Sequence, residues 1–218
     1  LAKQIAIRSY YMLVIKGKSL WAKVFEPDTR FVDDGEYSTS VIVPEAEAAQ
    51  VCEQLEALID EEYNKVVKEK PQLKATLSKR PVTEPDFDQD GNETGNVVFK
   101  TKLKAKIRGK NGQAYSQKVN VVDAKRNPMS GDQLIGNGSV IKVAVEPVAY
   151  MMQSTKQVGV SLRLKAVQVI DLVEHGTPST ASIFDEEDGF VAKAIEKDNS
   201  AVFDNVDTEG TASDEGDF

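Results

Sequence analysis

With 218 residues and 23.9 kDa, the chain is long enough for one domain with a sizeable core and a further segment. Its content of 40% hydrophobic and 28% charged residues, with no run of 18 apolar residues, excludes a membrane-spanning helix. The net charge of -8 divides unevenly: residues 1–175 carry 25 Lys and Arg against 23 Asp and Glu, whereas residues 176–218 carry 2 against 12. Such asymmetry bears on partners rather than on fold.

The apolar stretch at 10–15 is too short for a signal peptide and has no cleavage site after it, and Leu1 is read as following a removed initiator methionine. The single cysteine, Cys52, excludes an internal disulfide and a cysteine-built zinc site and points to a reducing cytoplasm. Strands are predicted at 21–25 and 37–43. Between Pro44 and Pro71, apolar residues recur at three- and four-residue spacing (Ala48, Val51, Cys52, Leu55, Leu58, Ile59, Val66, Val67), which predicts one amphipathic helix over 45–70. Its other face, with Glu53, Glu56, Asp60, Glu61 and Glu62, is read as solvated. Residues 71–96, with three prolines, read as a loop.

The next strand is the clearest. Val97, Phe99, Thr101, Leu103, Ala105 and Ile107 alternate with Val98, Lys100, Lys102, Lys104, Lys106 and Arg108, so one face would meet a core and the other would carry five cations in a row. Gly109-Lys110-Asn111-Gly112 signals a hairpin, from which 115–122 would return antiparallel. Strands at 140–150 and 158–172 follow. A small antiparallel barrel or sandwich with one long helix accounts for this order. From Gly176 the composition turns to Gly, Ser, Thr, Asp and Glu, a segment expected to be a disordered acidic tail. The division is therefore 1–175 and 176–218.

Enzyme motifs are absent. The sole histidine, His175, has no nucleophile beside it in a known pattern and is read as incidental. Gly136-Asn137-Gly138-Ser139 reads as a tight turn before a strand, not a phosphate cradle. Asp86, Asp88 and Asp90 followed by Gly91 copy the start of a calcium loop, but Val97 stands where a bidentate Glu is needed, leaving at most a weak metal candidate. No cofactor is expected.

Residues 97–170 hold 13 cations and three acids. Same-face strand residues recur every ~7 Å, a spacing that lets amines follow an extended phosphate chain. Lys118, Lys142 and Arg163 extend the basic surface, together with Lys125, Arg126 and Lys165. Trp21 and Phe25, with Lys23 between them, and Tyr115 and Tyr150 are rings on which unpaired bases could stack. Cations interleaved with aromatics on a small barrel point to single-stranded nucleic acid. A mobile polyanion tethered to a basic groove would compete with DNA there, and once displaced would offer Phe218 and its flanking acids to another protein. RNA as ligand, a metal-dependent nuclease, and an adaptor with an incidental basic face are the alternatives.

Four stretches carry a resemblance: Val121-Val122-Asp123-Ala124-Lys125, Ile135-Gly136-Asn137-Gly138-Ser139-Val140-Ile141-Lys142-Val143, Gly159-Val160-Ser161-Leu162-Arg163-Leu164-Lys165, and the ending Asp214-Glu215-Gly216-Asp217-Phe218. They resemble the replication single-stranded DNA-binding proteins of short-tailed lytic bacteriophages, over roughly 97–172 and the terminus. The resemblance implies a five-stranded OB-fold barrel with a long helix inserted after the second strand, and a protein that coats exposed single strands in replication, recombination and repair and anneals complementary ones. It implies contacts of the tail, through Asp214, Glu215, Asp217 and Phe218, with the phage DNA polymerase and helicase-primase in the host cytoplasm. It also implies that Tyr150 stacks on a base and that Lys3, Lys100, Lys102 and Lys142 meet the DNA backbone. Where relatives place a basic residue before Gly35 this chain has Asp34, so Arg30 is the substitute. Relatives dimerise through a longer tail, so a homodimer is a further expectation.

Overall fold

Period-two alternation becomes strand wherever a partner ladder lies alongside it. The computed structural model of the chain describes residues 12–109 and 111–174, all in the first of two units, Leu1–Thr177. In chain order the described elements are β1 (Leu13–Asp28), β2 (Glu36–Pro44), α1 (Glu45–Glu69), a 3₁₀ turn at Pro71–Leu73, β3 (Ser78–Lys79), β4 (Glu84–Phe87), β5 (Glu93–Lys104), β6 (Lys106–Arg108), β7 (Ala114–Ser116), β8 (Asn120–Val122), β9 (Val140–Met152) and β10 (Gln157–Asp171).

Five of these strands close on one another. β1 pairs antiparallel with β2 and β9, β2 with β5, and β9 with β10, while β5 meets β10 in parallel through Leu162–Thr101 and Arg163–Lys102. The expected five-stranded barrel is therefore present. Its one parallel seam follows from parity, because an odd ring of strands cannot alternate direction all the way round. The core is the inward set of the five, with Ile15, Val41, Phe99, Ile141, Val143, Val145 and Leu164 at 0–2% exposure.

The helix lies where its period placed it, after the second strand, with Pro44 just before it and Pro71 just after. Ala48, Leu55, Ile59 and Val66 form its buried stripe against β2, β5, β9 and β10. Glu45 and Glu47 stand in the first turn and Lys68 in the last, each favourable to the helix dipole. Among the described residues no helix is long and apolar enough to cross a membrane.

Three expectations are corrected. The stretch 71–96 is not wholly loop: β3 runs parallel to β10, and β4 pairs with β5. Pro85 argued against a strand there, but β4 is an edge strand, where a missing N–H costs no ladder bond. The basic strand does not continue to Arg108. Its partner β2 begins at Glu36, opposite Lys104, so the ladder ends there. The Ala105 N–H turns to the carbonyl of Gly35 at 2.8 Å, and the chain leaves the barrel as the β6–β7 hairpin. Ile107, expected inside, is 40% exposed on that hairpin. Finally, the antiparallel return expected over 115–122 holds only at its start, where β7 pairs with β6 across the hairpin; β8 instead runs parallel to β10.

Candidate nucleic-acid interface

The outward residues of β2, β5, β9 and β10, with the segment 80–85, enclose a groove of about 950 Å³. Lys100 and Lys102 alternate outward from β5 because Phe99, Thr101 and Leu103 point inward. Arg163 projects from β10, directly beside Lys102 across the parallel seam. Tyr150 on β9 stands opposite Gly159 on β10, where a Cβ would come within 3.0 Å of the tyrosine hydroxyl and 3.2 Å of Cζ. The bare glycine thus gives the ring room to lie across the sheet. Trp21, Ser38, Ser40, Ser161 and Met152 also line it.

The carboxylates of the groove are matched to its lysines. Lys100 Nζ is 2.5 Å from Glu84 and Lys102 Nζ 3.6 Å from Glu36. Among the described residues, neither Arg163 nor Arg80 has a carboxylate within 4 Å. Arg80 is a groove cation that sequence reasoning missed. It belongs to no periodic pattern and reaches the site because its N–H donates to the carbonyl of Val158 on β10 at 2.8 Å.

Trp21 occupies a bulge in β1, between Leu20 and Lys23, with a left-handed φ of 49°. Its N–H donates to Asn137 Oδ1 at 2.7 Å, and the residue is 68% exposed. The turn 136–139 is itself anchored. Ser19 Oγ and Ser139 Oγ both donate to the Gly136 carbonyl, at 2.7 and 2.8 Å, and Ser139 accepts from the Val173 N–H at 3.0 Å. The segment read as a tight turn therefore sets the presentation of Trp21.

Lys23, Phe25 and Arg30 do not line the groove. They line a second hollow, of about 710 Å³, between the end of β1 and residues 131–137, which Trp21 also borders. Asp28 binds both cations there, Lys23 at 2.6 Å and Arg30 at 2.8 Å. The Arg30 and Lys23 hydrogen bonds hold the Asp28 carboxyl well below the usual carboxylate range. A carboxyl depressed on folding stabilises the fold above its unfolded value and loses that contribution as pH falls through the folded one. Asp28 should thus stay ionised after free aspartates have protonated, and D28N should soften the acid limb of unfolding below about pH 4. Carboxyl chemical shifts followed through an acid titration check this.

The remaining sequence candidates lie apart from the groove. Lys104 ends β5 as an exposed side chain, Lys106, Arg108 and Tyr115 belong to the β6–β7 hairpin, and Lys118 is exposed between β7 and β8. The row of five cations is therefore two in the groove, one at the end of β5 outside it and two on a separate hairpin. Lys142 stands on β9 opposite Lys16. Asp88 accepts the N–H groups of Asp90 and Asn92, and Asp86 accepts from Thr94, so these carboxylates serve their own loop. Among the described residues no group of three or more His, Cys, Asp or Glu is placed to hold a metal ion. Lys3, His175 and the tail residues Asp214, Glu215, Asp217 and Phe218 lie outside the described residues.

No curated protein matches the chain in sequence. Among solved structures, the crystal structure of gp2.5, a single-stranded DNA-binding protein of bacteriophage T7, is similar at a TM-score of 0.60 and 24% identity, over 84% of this chain and 99% of that one. The single-stranded DNA-binding protein of bacteriophage Enc34 in complex with single-stranded DNA is similar at a TM-score of 0.45 and 13% identity, over 77% and 89%. The family model described as the single-stranded DNA-binding protein of bacteriophage T7 matches residues 20–172, which include the whole groove. The barrel and its cationic, aromatic groove thus belong to a member of the family of the bacteriophage T7 single-stranded DNA-binding protein.

Proposed function

We propose that this protein binds single-stranded DNA along the barrel groove without reading its sequence, in phage DNA replication and recombination. The observation that carries the reading is one depression holding four exposed cations, Arg80, Lys100, Lys102 and Arg163, with Trp21 and Tyr150. Cations track phosphates whatever the base, and every base has a face that stacks, at about 1–3 kcal/mol per ring. A duplex keeps its bases stacked inside and gains nothing from these rings.

We read the protein as a binder without catalysis. The groove lining contains no histidine or cysteine, and its two glutamates are occupied by lysines. The acidic segment 176–218 would compete with DNA for the groove and, when displaced, recruit the phage polymerase and helicase-primase through Asp214, Glu215, Asp217 and Phe218. Its 12 acids against two bases and its terminal aromatic support this role. Homodimer formation, strand annealing, participation in repair and action in the cytoplasm of the infected host belong to the same reading.

Fluorescence anisotropy with oligo-dT and a matched duplex, on the full chain and on a truncation ending at His175, tests both parts. The expected result is single-strand preference in both proteins, tighter binding by the truncation, and strong salt dependence. Equal affinity of the two proteins would remove the competing role of the tail. No single-strand binding by either would discard the groove.

A further inference from the structure

We infer that the hollow beyond Trp21 is a second base-binding subsite, into which a single strand leaving the groove continues. This rests on the groove reading above and adds to it a separate site with its own chemistry. Trp21 borders both depressions and stands where they adjoin. A tryptophan in left-handed backbone is uncommon, and it persists only where the surroundings hold it. Here the Asn137 side chain holds the Trp21 N–H, and two buried serines, Ser19 and Ser139, anchor the turn that carries Asn137. The sheet is thus broken at this point in a way that leaves a large ring in solvent between two hollows.

The composition of the second hollow specifies its occupant. Phe25 and Leu134 supply apolar surface, Leu134 being 47% exposed. Lys23 and Arg30 are both held by Asp28, and Glu26 adds a further carboxylate to the lining. Two cations and two carboxylates leave no net charge to attract phosphate. A neutral, flat, partly apolar group suits the site, and the bases of a strand already held by the adjoining groove are such groups. The groove would then set the salt dependence of binding, and the hollow would add affinity without changing the slope.

The test compares oligo-dT of about 5 and about 15 nucleotides, within the range of site sizes seen for single OB-folds, on the wild-type chain and on Leu134→Gln. The substitution adds no charge, and its half-exposed position spares the core. Affinity for the longer oligomer is expected to fall about three- to tenfold, as for the loss of apolar surface in contact with a base. The slope of log affinity against log salt should stay unchanged, as should the affinity for the shorter oligomer, which also shows that the variant is folded. No loss with either length would overturn the inference, since the hollow would then be empty. An equal loss with both would also overturn it, by placing Leu134 in the groove path. If the wild-type chain bound neither oligomer, the groove reading would itself fall, an outcome distinct from the first two.

Discussion

Replacing Arg80 and Arg163 together by glutamine should flatten the salt dependence of single-strand binding by about 1.4 in log affinity per log salt. On single strands each neutralised phosphate contributes a slope of about -0.7, so four groove cations would give about -2.8 and removal of two would leave about -1.4. These arginines have the largest effect because, among the described residues, neither has a carboxylate within 4 Å. Each lost charge-assisted contact is worth about 1.5–3 kcal/mol, so affinity at low salt should fall by a hundredfold or more. Lys100 and Lys102 should matter less. A phosphate must first displace Glu84 and Glu36 from them, and exposed pairs of this kind are worth at most about 1 kcal/mol. The same reasoning gives E84Q a modestly raised affinity. Titrations of wild type, R80Q/R163Q, K100Q/K102Q and E84Q across a salt series would decide the ranking. An unchanged slope in R80Q/R163Q would remove both arginines from the DNA path.

The largest effect on stability is expected at Gly17. This residue lies in β1, the strand that pairs with both β2 and β9. A Cβ there would come within 2.2 Å of the Ile42 carbonyl oxygen and within 2.8 and 2.9 Å of methyl groups on Val41 and Val43. Its φ is not left-handed, so the demand is for space rather than for glycine's conformational range. Ile42 belongs to the β1–β2 ladder, and its oxygen cannot retreat without parting two strands of the closed barrel. Overpacking of this kind typically costs 1–3 kcal/mol, and a backbone obstacle places G17A at about 3 kcal/mol or above. For a domain of this size that lowers Tm by about 6–12 °C. Gly131→Ala is the control: its Cβ would meet Phe25 at 3.5 Å, an ordinary contact, and Tm should hardly move. Thermal unfolding of the two variants checks both.

Elements set by short-range forces are legible in the sequence, and those set by distant partners are not. The helix was legible because Pro44, Pro71 and the stripe Ala48, Leu55, Ile59 and Val66 lie in one contiguous segment. β9 and β10 were legible because stretches of each alternate, with Ile141, Val143 and Val145 inward on β9 and Leu162 and Leu164 on β10, and because they pair with each other. The overextended basic strand shows where this reasoning stops. Lys104, Lys106 and Arg108 keep the same period, yet only Lys104 has a partner on β2, Glu36, while Lys106 and Arg108 pair with β7, and the start of β2 is not encoded in residues 97–108. Pro85 misled in the opposite direction, because whether a strand is an edge is a property of the sheet.

For the site, the local sequence determined which side chains alternate outward, hence Lys100 and Lys102 on one face, the amphipathic helix, and the acidic composition of the last 43 residues. Those features depend on neighbours within a few positions, where side-chain period and chain stiffness dominate. Only the tertiary structure brought Arg80 and Arg163 to the groove, gave Tyr150 its bed on Gly159, and turned Trp21 out through a bulge pinned by Asn137, 116 residues away. Barrel closure decides these placements: each strand is held by ladders to segments distant in the chain, and the outward side chains converge only once the last seam, β5 to β10, has formed.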